Sequence, residues 1–204
     1  MKIAANNAEL WLFPNFIKLG QSQALFQYLQ STIAWRQDQL TMYGKLVDIP
    51  RLQAWFGDAD ASYSYSGLTL KPQPWLPALA KLKTTLSEQC QAVLAESGDA
   101  SQLNFNSALA NLYRDNQDGV AWHSDDEPEL GPNPVIASVS LGASREFNMK
   151  HKVNGEKLTI PLTSGSLLLM AGETQRYWQH AILRSKKGSA PRINLTFRQI
   201  FSLK

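Results

Sequence analysis

The chain has 204 residues, 44% of them hydrophobic and 18% charged, an ordinary globular composition that excludes a disordered or low-complexity chain. Twenty Lys and Arg against 17 Asp and Glu leave a net charge of +3, which permits an anionic partner without defining one. The single cysteine, Cys90, excludes an intramolecular disulfide and argues against a cysteine-built zinc site, and no apolar run reaches the roughly 20 residues that span a bilayer.

The length predicts a single domain, 1–204. The first 16 residues carry one lysine and are interrupted by Asn6, Asn7, Glu9 and Pro14, so they do not read as a signal peptide. The expectation is a soluble, non-secreted protein of a reducing compartment, cytoplasmic (nucleoid-associated) or nuclear. Leu19 to Ile33 reads as a helix, with Leu25, Phe26, Leu29 and Ile33 at helical spacing. Residues 36–74 are rich in aromatic and turn residues, which predicts short strands and loops. A second helix is predicted from Trp75 to Ala95, with Leu76, Leu79, Leu82, Leu86, Cys90 and Val93 on one face and Gly98 as the stop. Beyond residue 100 the period changes from 3.6 to 2. Strands are predicted over Phe105–Tyr113, Val135–Leu141, Leu158–Leu162, Ser166–Met170 and Arg192–Ile200. Helices followed by a run of strands predict an α+β fold whose C-terminal half is an antiparallel barrel or jelly roll.

Two patterns carry chemistry. His123 and Asp125 are two apart, so an extended segment presents both to one side. His180, 55 residues after Asp125, is far enough along the chain to return on another strand. Two imidazoles and one carboxylate form a facial set that leaves coordination positions open and suits non-haem Fe(II). His-x-Asp by itself is a weak motif, and a loop histidine or a core histidine is the plainer reading of each imidazole. His151, between Lys150 and Lys152, reads as a surface residue. The second pattern is Arg192-Ile193-Asn194-Leu195-Thr196-Phe197-Arg198. On a strand its polar residues share one face and its apolar residues the other. Two guanidiniums inside a barrel require anions, and a small dicarboxylate gripped bidentately satisfies both. Asn111 and Tyr113 show the same alternation.

These residues resemble the AlkB family of Fe(II)- and 2-oxoglutarate-dependent dioxygenases. The motifs are Asn-Leu-Tyr at 111–113, His-Ser-Asp-Asp-Glu at 123–127, His180, and the strand 192–198, with further likeness in 134–142, 165–170, 49–51, 63–67 and 71–75. The likeness covers roughly residues 40–201 and is closest to the family's animal branch acting on double-stranded DNA. It implies a double-stranded β-helix (jelly roll, cupin-like) core over 100–201, N-terminal helices packed on it, and a nucleotide-recognition lid over 36–74. It implies Fe(II) held by His123, Asp125 and His180. It implies 2-oxoglutarate held by Arg192 and Arg198, helped by Asn111, Tyr113, Asn194 and Thr196, with either arginine on either carboxylate. With O2 as the other co-substrate, the family chemistry oxidises an N-methyl group and releases formaldehyde, succinate and CO2.

The implied substrate is N-alkylated DNA, duplex or single-stranded, bearing 1-methyladenine or 3-methylcytosine. The resemblance places Tyr63, Ser64 and Tyr65 at a flipped-base pocket, where aromatic faces stack on a base. It places Asp126 and Glu127 near the cationic methylated base and Arg51 near the DNA. Met42, Tyr43 and Gly44, followed by Lys45, occupy the place of a duplex-probing finger. Plain readings stand beside these: strand aromatics, a solvated acidic loop, a surface charge and a surface hairpin turn. The basic clusters 150–152 and 184–187 suit phosphate contacts as well as a solvated face. The same motifs also fit a demethylase of RNA, tRNA or protein, or a non-catalytic nucleic-acid-binding module. Nothing indicates a membrane partner, and the sequence is compatible with a monomer.

Overall fold

The computed structural model describes residues 1–201 apart from 43, 62, 66, 67, 71 and 99–101, and of 42, 63–65 and 68–70 the backbone alone. The chain opens with strands β1 (Lys2–Ile3) and β2 (Glu9–Phe13) and helix α1 (Leu19–Thr32). A hairpin follows, β3 (Gln39–Met42) and β4 (Lys45–Asp48), then β5 (Leu52–Gly57), a second hairpin of β6 (Tyr63–Tyr65) and β7 (Leu68–Leu70), and helix α2 (Pro77–Glu96). Next come β8 (Ser107–Tyr113), β9 (Val120–His123), a 3-10 turn (Pro128–Leu130), β10 (Ile136–Gly142), β11 (Arg145–His151) and β12 (Lys157–Leu162). The chain closes with β13 (Leu167–Ala171), the one-turn helix α3 (Thr174–Tyr177), β14 (Trp178–Ile182) and β15 (Arg192–Arg198).

Strict alternation in the long strands builds two antiparallel sheets with different faces. The larger has the order β1-β2-β13-β10-β15-β8-β5 and the smaller β12-β11-β14-β9. Leu10, Ile136, Leu168 and Met170 of the larger sheet meet Phe147, Met149, Ile160 and Trp178 of the smaller, closing one end of a jelly roll. The opposite face of the larger sheet carries Ala108, Val139, Leu195 and Phe197. It is covered by Leu29 of α1 and by Leu79, Leu82, Leu86, Cys90 and Leu94 of α2. Pro77 opens α2 at its first turn, where no amide hydrogen is needed, and Gly98 ends it at φ +91°. Leu86 is fully buried in that cluster. Its truncation to alanine should cost about 2–5 kcal/mol, read by urea denaturation of a variant with unchanged circular dichroism.

The jelly roll extends beyond residues 100–201. β2 pairs with β13, Leu168 opposite Leu12, and β5 pairs with β8, Gln53 opposite Asn111. The segment 36–74 therefore contains an edge strand of the larger sheet, β5, between two hairpins that, among the described residues, form separate two-stranded sheets. β2 escapes the sequence pattern because Glu-Leu-Trp-Leu-Phe is a short apolar run without alternation. No described helix is long and apolar enough to cross a membrane.

Candidate active site

Register brings the two chemical patterns together. β15 lies between β10 and β8, with Arg192 opposite Tyr113, and Asn194 opposite both Ser140 and Asn111. Directly opposed residues share a face, so Arg192, Asn194, Thr196 and Arg198 line the interior with Asn111, Tyr113, Ser138 and Ser140. Most of these groups answer one another. Asn194 donates from Nδ2 to Ser138 Oγ at 2.8 Å, and Thr196 donates to Asn194 Oδ1 at 3.0 Å. Asn111 Oδ1 accepts from Arg51 Nε and Gln53 Nε2, both at 2.9 Å. Arg192 differs. It is 1% exposed, donates from Nη2 to Ser140 Oγ at 2.9 Å, and leaves Nε and Nη1 buried without a partner. Burial lowers its pKa, yet a guanidinium remains charged at any physiological pH.

On the smaller sheet His180 of β14 pairs directly with His123 of β9, next to a bulge. Their rings are 4.3 Å apart edge to face, and Phe147 stacks on His180 at 5.0 Å. Asp125 follows β9 in a loop fixed by its own amide donating to Gln175 Oε1 at 3.0 Å and by Ser124 donating to the Trp178 carbonyl. The ligand atoms of His123, Asp125 and His180 lie within 4.8 Å of one another. His123 Nδ1 sits 2.8 Å from the Ala121 carbonyl, so as donor it leaves the Nε2 lone pair toward Asp125, 3.6 Å away. Asp125 Oδ2 accepts from Arg198 Nε at 3.1 Å and Nη2 at 2.8 Å.

Burial pushes the Asp125 pKa up, but Arg198 and the two imidazoles outweigh it and hold the carboxyl at about 2. Burial pushes His180 down to about 3, against the pull of Asp125. At neutral pH the carboxylate is ionised and the buried imidazole neutral, the states that ligate a metal. The residues present fit the two groups the sequence implies. Two nitrogens and one oxygen converge as a facial set, with His180 Nδ1 lacking any hydrogen-bond partner. In the same cavity, two guanidinium donors of Arg192 await an anion.

Gly119 sets the spacing of the imidazole pair. A Cβ there would stand 2.5 Å from the Ile182 carbonyl on the neighbouring strand. Gly119→Ala should push β9 from β14, spread His123 from His180, and weaken metal binding about tenfold, measured by Co(II) titration.

The remaining site expectations fare unevenly. Arg51 is not a loose surface charge: it bonds Asn111 and the Gly119 carbonyl and lines the same cavity. Asp126 is exposed, 3.4 Å from Lys152 Nζ, and Glu127 precedes the 3-10 turn. Gly44, at φ +75°, turns the β3–β4 hairpin, and Lys45, Leu46 and Val47 beyond it are exposed. Tyr43 lies outside the described residues, as do the side chains of Met42, Tyr63, Ser64 and Tyr65. His151 is a correction: it is 4% exposed, not a surface residue. Its Nδ1 accepts from the amides of Val153 and Asn154 at 3.2 Å, and its ring packs on Tyr177 and Trp178. Alternation along β11 turns Lys150 outward and His151 inward.

A facial His-Asp-His set opposite a buried arginine, inside a jelly roll, defines an iron- and 2-oxoglutarate-dependent oxygenase site. The chain belongs to the 2OG-Fe(II) oxygenase superfamily, whose family model matches residues 9–198. Within it the chain is an AlkB-family member. It is 40% identical over 200 residues to mouse alpha-ketoglutarate-dependent dioxygenase alkB homolog 3, covering 93% of this chain and 65% of that protein. It is 38% identical to human DNA oxidative demethylase ALKBH2 over 92% of this chain and 73% of that one. The chain thus spans just under two thirds of the length of the mouse relative. The solved structure titled "The structure of OsALKBH1" superposes with a TM-score of 0.61 at 20% identity, over 93% of this chain and 97% of that one, a likeness of fold.

Proposed function

We propose that this protein repairs DNA by oxidative demethylation of N-alkylated bases, 1-methyladenine and 3-methylcytosine. The observation that carries the reading is one cavity holding both a His123–Asp125–His180 cluster and the open donors of Arg192. The likeness to a relative named as a DNA oxidative demethylase supports the substrate class.

His123, Asp125 and His180 hold Fe(II). Arg198 already bonds Asp125, so it serves the end of 2-oxoglutarate nearest the metal. Arg192, more buried and with two donors open, serves the distal carboxylate. Bound together, iron and 2-oxoglutarate use O2 to oxidise the N-methyl group, with formaldehyde, succinate and CO2 as products. The chain's own residues supply position and dryness. Asn194 and Thr196, satisfied by Ser138 and each other, hold a rigid wall. Phe147 and Met170 line the cavity with apolar surface that keeps water out. A base enters only when flipped from the duplex. Tyr63, Ser64 and Tyr65 supply its pocket, Asp126 and Glu127 favour the cationic methylated ring, and Met42 and Tyr43 fill the gap left behind, with Gly44 allowing the turn, Lys45 beside it, and Arg51 near the DNA from the cavity wall.

The test starts with anaerobic protein, Fe(II), 2-oxoglutarate and a duplex bearing a single 1-methyladenine. O2 starts the reaction, and the oligonucleotide is followed by mass spectrometry. Loss of one methyl group, abolished by His123→Ala, is the expected result. Succinate formation with the methyl retained overturns the DNA substrate and keeps the oxygenase. Single-stranded DNA and RNA bearing the same base, run in parallel, identify the substrate in that case.

A further inference from the structure

Behind Tyr113 lies a second guanidinium that the mechanism above does not use. Arg145, the first residue of β11, is 8% exposed. Its Nη1 donates to the Asp115 carbonyl at 3.0 Å, and its Nη2 to the carbonyls of Asp118 at 3.0 Å and Leu183 at 2.9 Å. Its guanidinium carbon is 5.8 Å from the centroid of the Tyr113 ring, and that of Arg192 is 5.2 Å from the same centroid. The ring itself is 2% exposed. Among the described residues neither arginine forms an ion pair.

Two buried cations against one aromatic ring are costly without an anion. Backbone carbonyls answer the donors of Arg145, and the carboxylates of Asp118 and Asp115 nearby offset only part of its charge. Arg192 keeps two donors open as well as its charge. The positive potential of both therefore converges on the part of the cavity that Arg192 and Tyr113 line. A lysine could not build this arrangement: the planar fork of arginine reaches three carbonyls and lies against the ring at once. Those carbonyls belong to two loops, after β8 and after β14, which also bind each other through Asn116 and Ser185. The Arg145 side chain is accordingly fixed, and it fixes Tyr113.

We propose that Arg145 is a positioning residue for the distal carboxylate of 2-oxoglutarate, bracing Tyr113 against Arg192 and adding a second charge behind the receptor. The proposal rests on the assignment of that carboxylate to Arg192. It makes the protein selective for a dicarboxylate over a 2-oxo acid with the same metal-binding end and no distal charge.

The experiment uses the full chain loaded with Mn(II), so that no turnover occurs, and measures calorimetric binding of 2-oxoglutarate and of 2-oxopentanoate. Arg145→Gln keeps donors for the loop carbonyls, and Arg145→Leu keeps an apolar face for the ring. Both remove the charge, so either variant that folds decides the case. Expected is 2-oxoglutarate affinity about tenfold weaker, with 2-oxopentanoate affinity unchanged within about twofold. Arg145→Lys should recover part of the loss. In an Arg192→Met background, Arg145→Gln should weaken 2-oxoglutarate binding by much less than tenfold, because most of its effect passes through the Tyr113–Arg192 contact. Equal weakening of both ligands would show a merely structural role and overturn the proposal, as would undiminished preference for 2-oxoglutarate. If wild type shows no preference for 2-oxoglutarate, or Arg192→Met keeps the wild-type preference, the receptor assignment itself fails.

Discussion

Replacing Arg192 with methionine should weaken 2-oxoglutarate binding at least about a hundredfold and at the same time raise the melting temperature of the co-substrate-free protein. The two effects share one cause. Arg192 is fully buried, with Nε and Nη1 unpartnered and no carboxylate in contact among the described residues. In the absence of the co-substrate that is an uncompensated charge, and a well-packed apolar side chain of similar volume is preferred there by about 1–3 kcal/mol. For a domain of this size that is a rise of several degrees. Once the dicarboxylate binds, the same donors make charge-assisted bonds in a dry site, and their loss costs at least about a hundredfold in affinity. Thermal melts of the Mn(II)-loaded protein with and without 2-oxoglutarate read both effects. Wild type should gain about 2.7 kcal/mol at a hundred times the dissociation constant, and the variant little at that concentration. A variant less stable than wild type without ligand would mean that Arg192 is a structural residue, satisfied by Ser140 and the Tyr113 ring.

The site is legible in the sequence where side-chain period and chemistry coincide. Alternation along 192–198 predicts a face carrying Arg192, Asn194, Thr196 and Arg198, and β15 presents that face to the cavity. The same parity placed Ser138 and Ser140 opposite it, but serines in an apolar run carry no chemical signature of their own. The spacing of His123 and Asp125 points to convergence; that Arg198 reaches the carboxylate follows only from strand order. Arg145 and Gln175 act through backbone groups far along the chain, and no local pattern encodes such contacts. His151 misled because its neighbours are lysines: charge on both sides reads as surface, whereas a period of 2 puts the middle residue inside. Helix α2 is displaced by two residues at its start because Pro77 suits the first turn better than Trp75.

Two variants of the metal cluster should both lose iron yet differ sharply in metal-free stability. Asp125→Asn keeps shape and removes charge. His123→Ala removes a ligand whose side chain is 37% exposed, against 6% for Asp125. Either should weaken metal binding at least about a hundredfold, because each removes one member of the three-residue cluster found among the described residues. Metal-free, His123→Ala gives up an exposed imidazole and should stay within about 1 kcal/mol of wild type. Asp125→Asn gives up the anion that accepts two hydrogen bonds from Arg198, which is itself 18% exposed. Breaking a buried pair costs about 3–5 kcal/mol, and partial exposure of the arginine brings the expectation to about 2–4 kcal/mol. The pH dependence has a fixed sign. The folded protein holds Asp125 at about 2, below its ordinary 3.8, so its contribution is complete above about pH 4 and is lost as pH falls through 2. The gap in urea stability between metal-free wild type and Asp125→Asn should therefore be full at pH 7 and close at acid pH, while His123→Ala tracks wild type at neutral pH. Equal stability of the two variants at pH 7 would mean that Asp125 serves the metal alone and that the Arg198 contact contributes nothing to the fold.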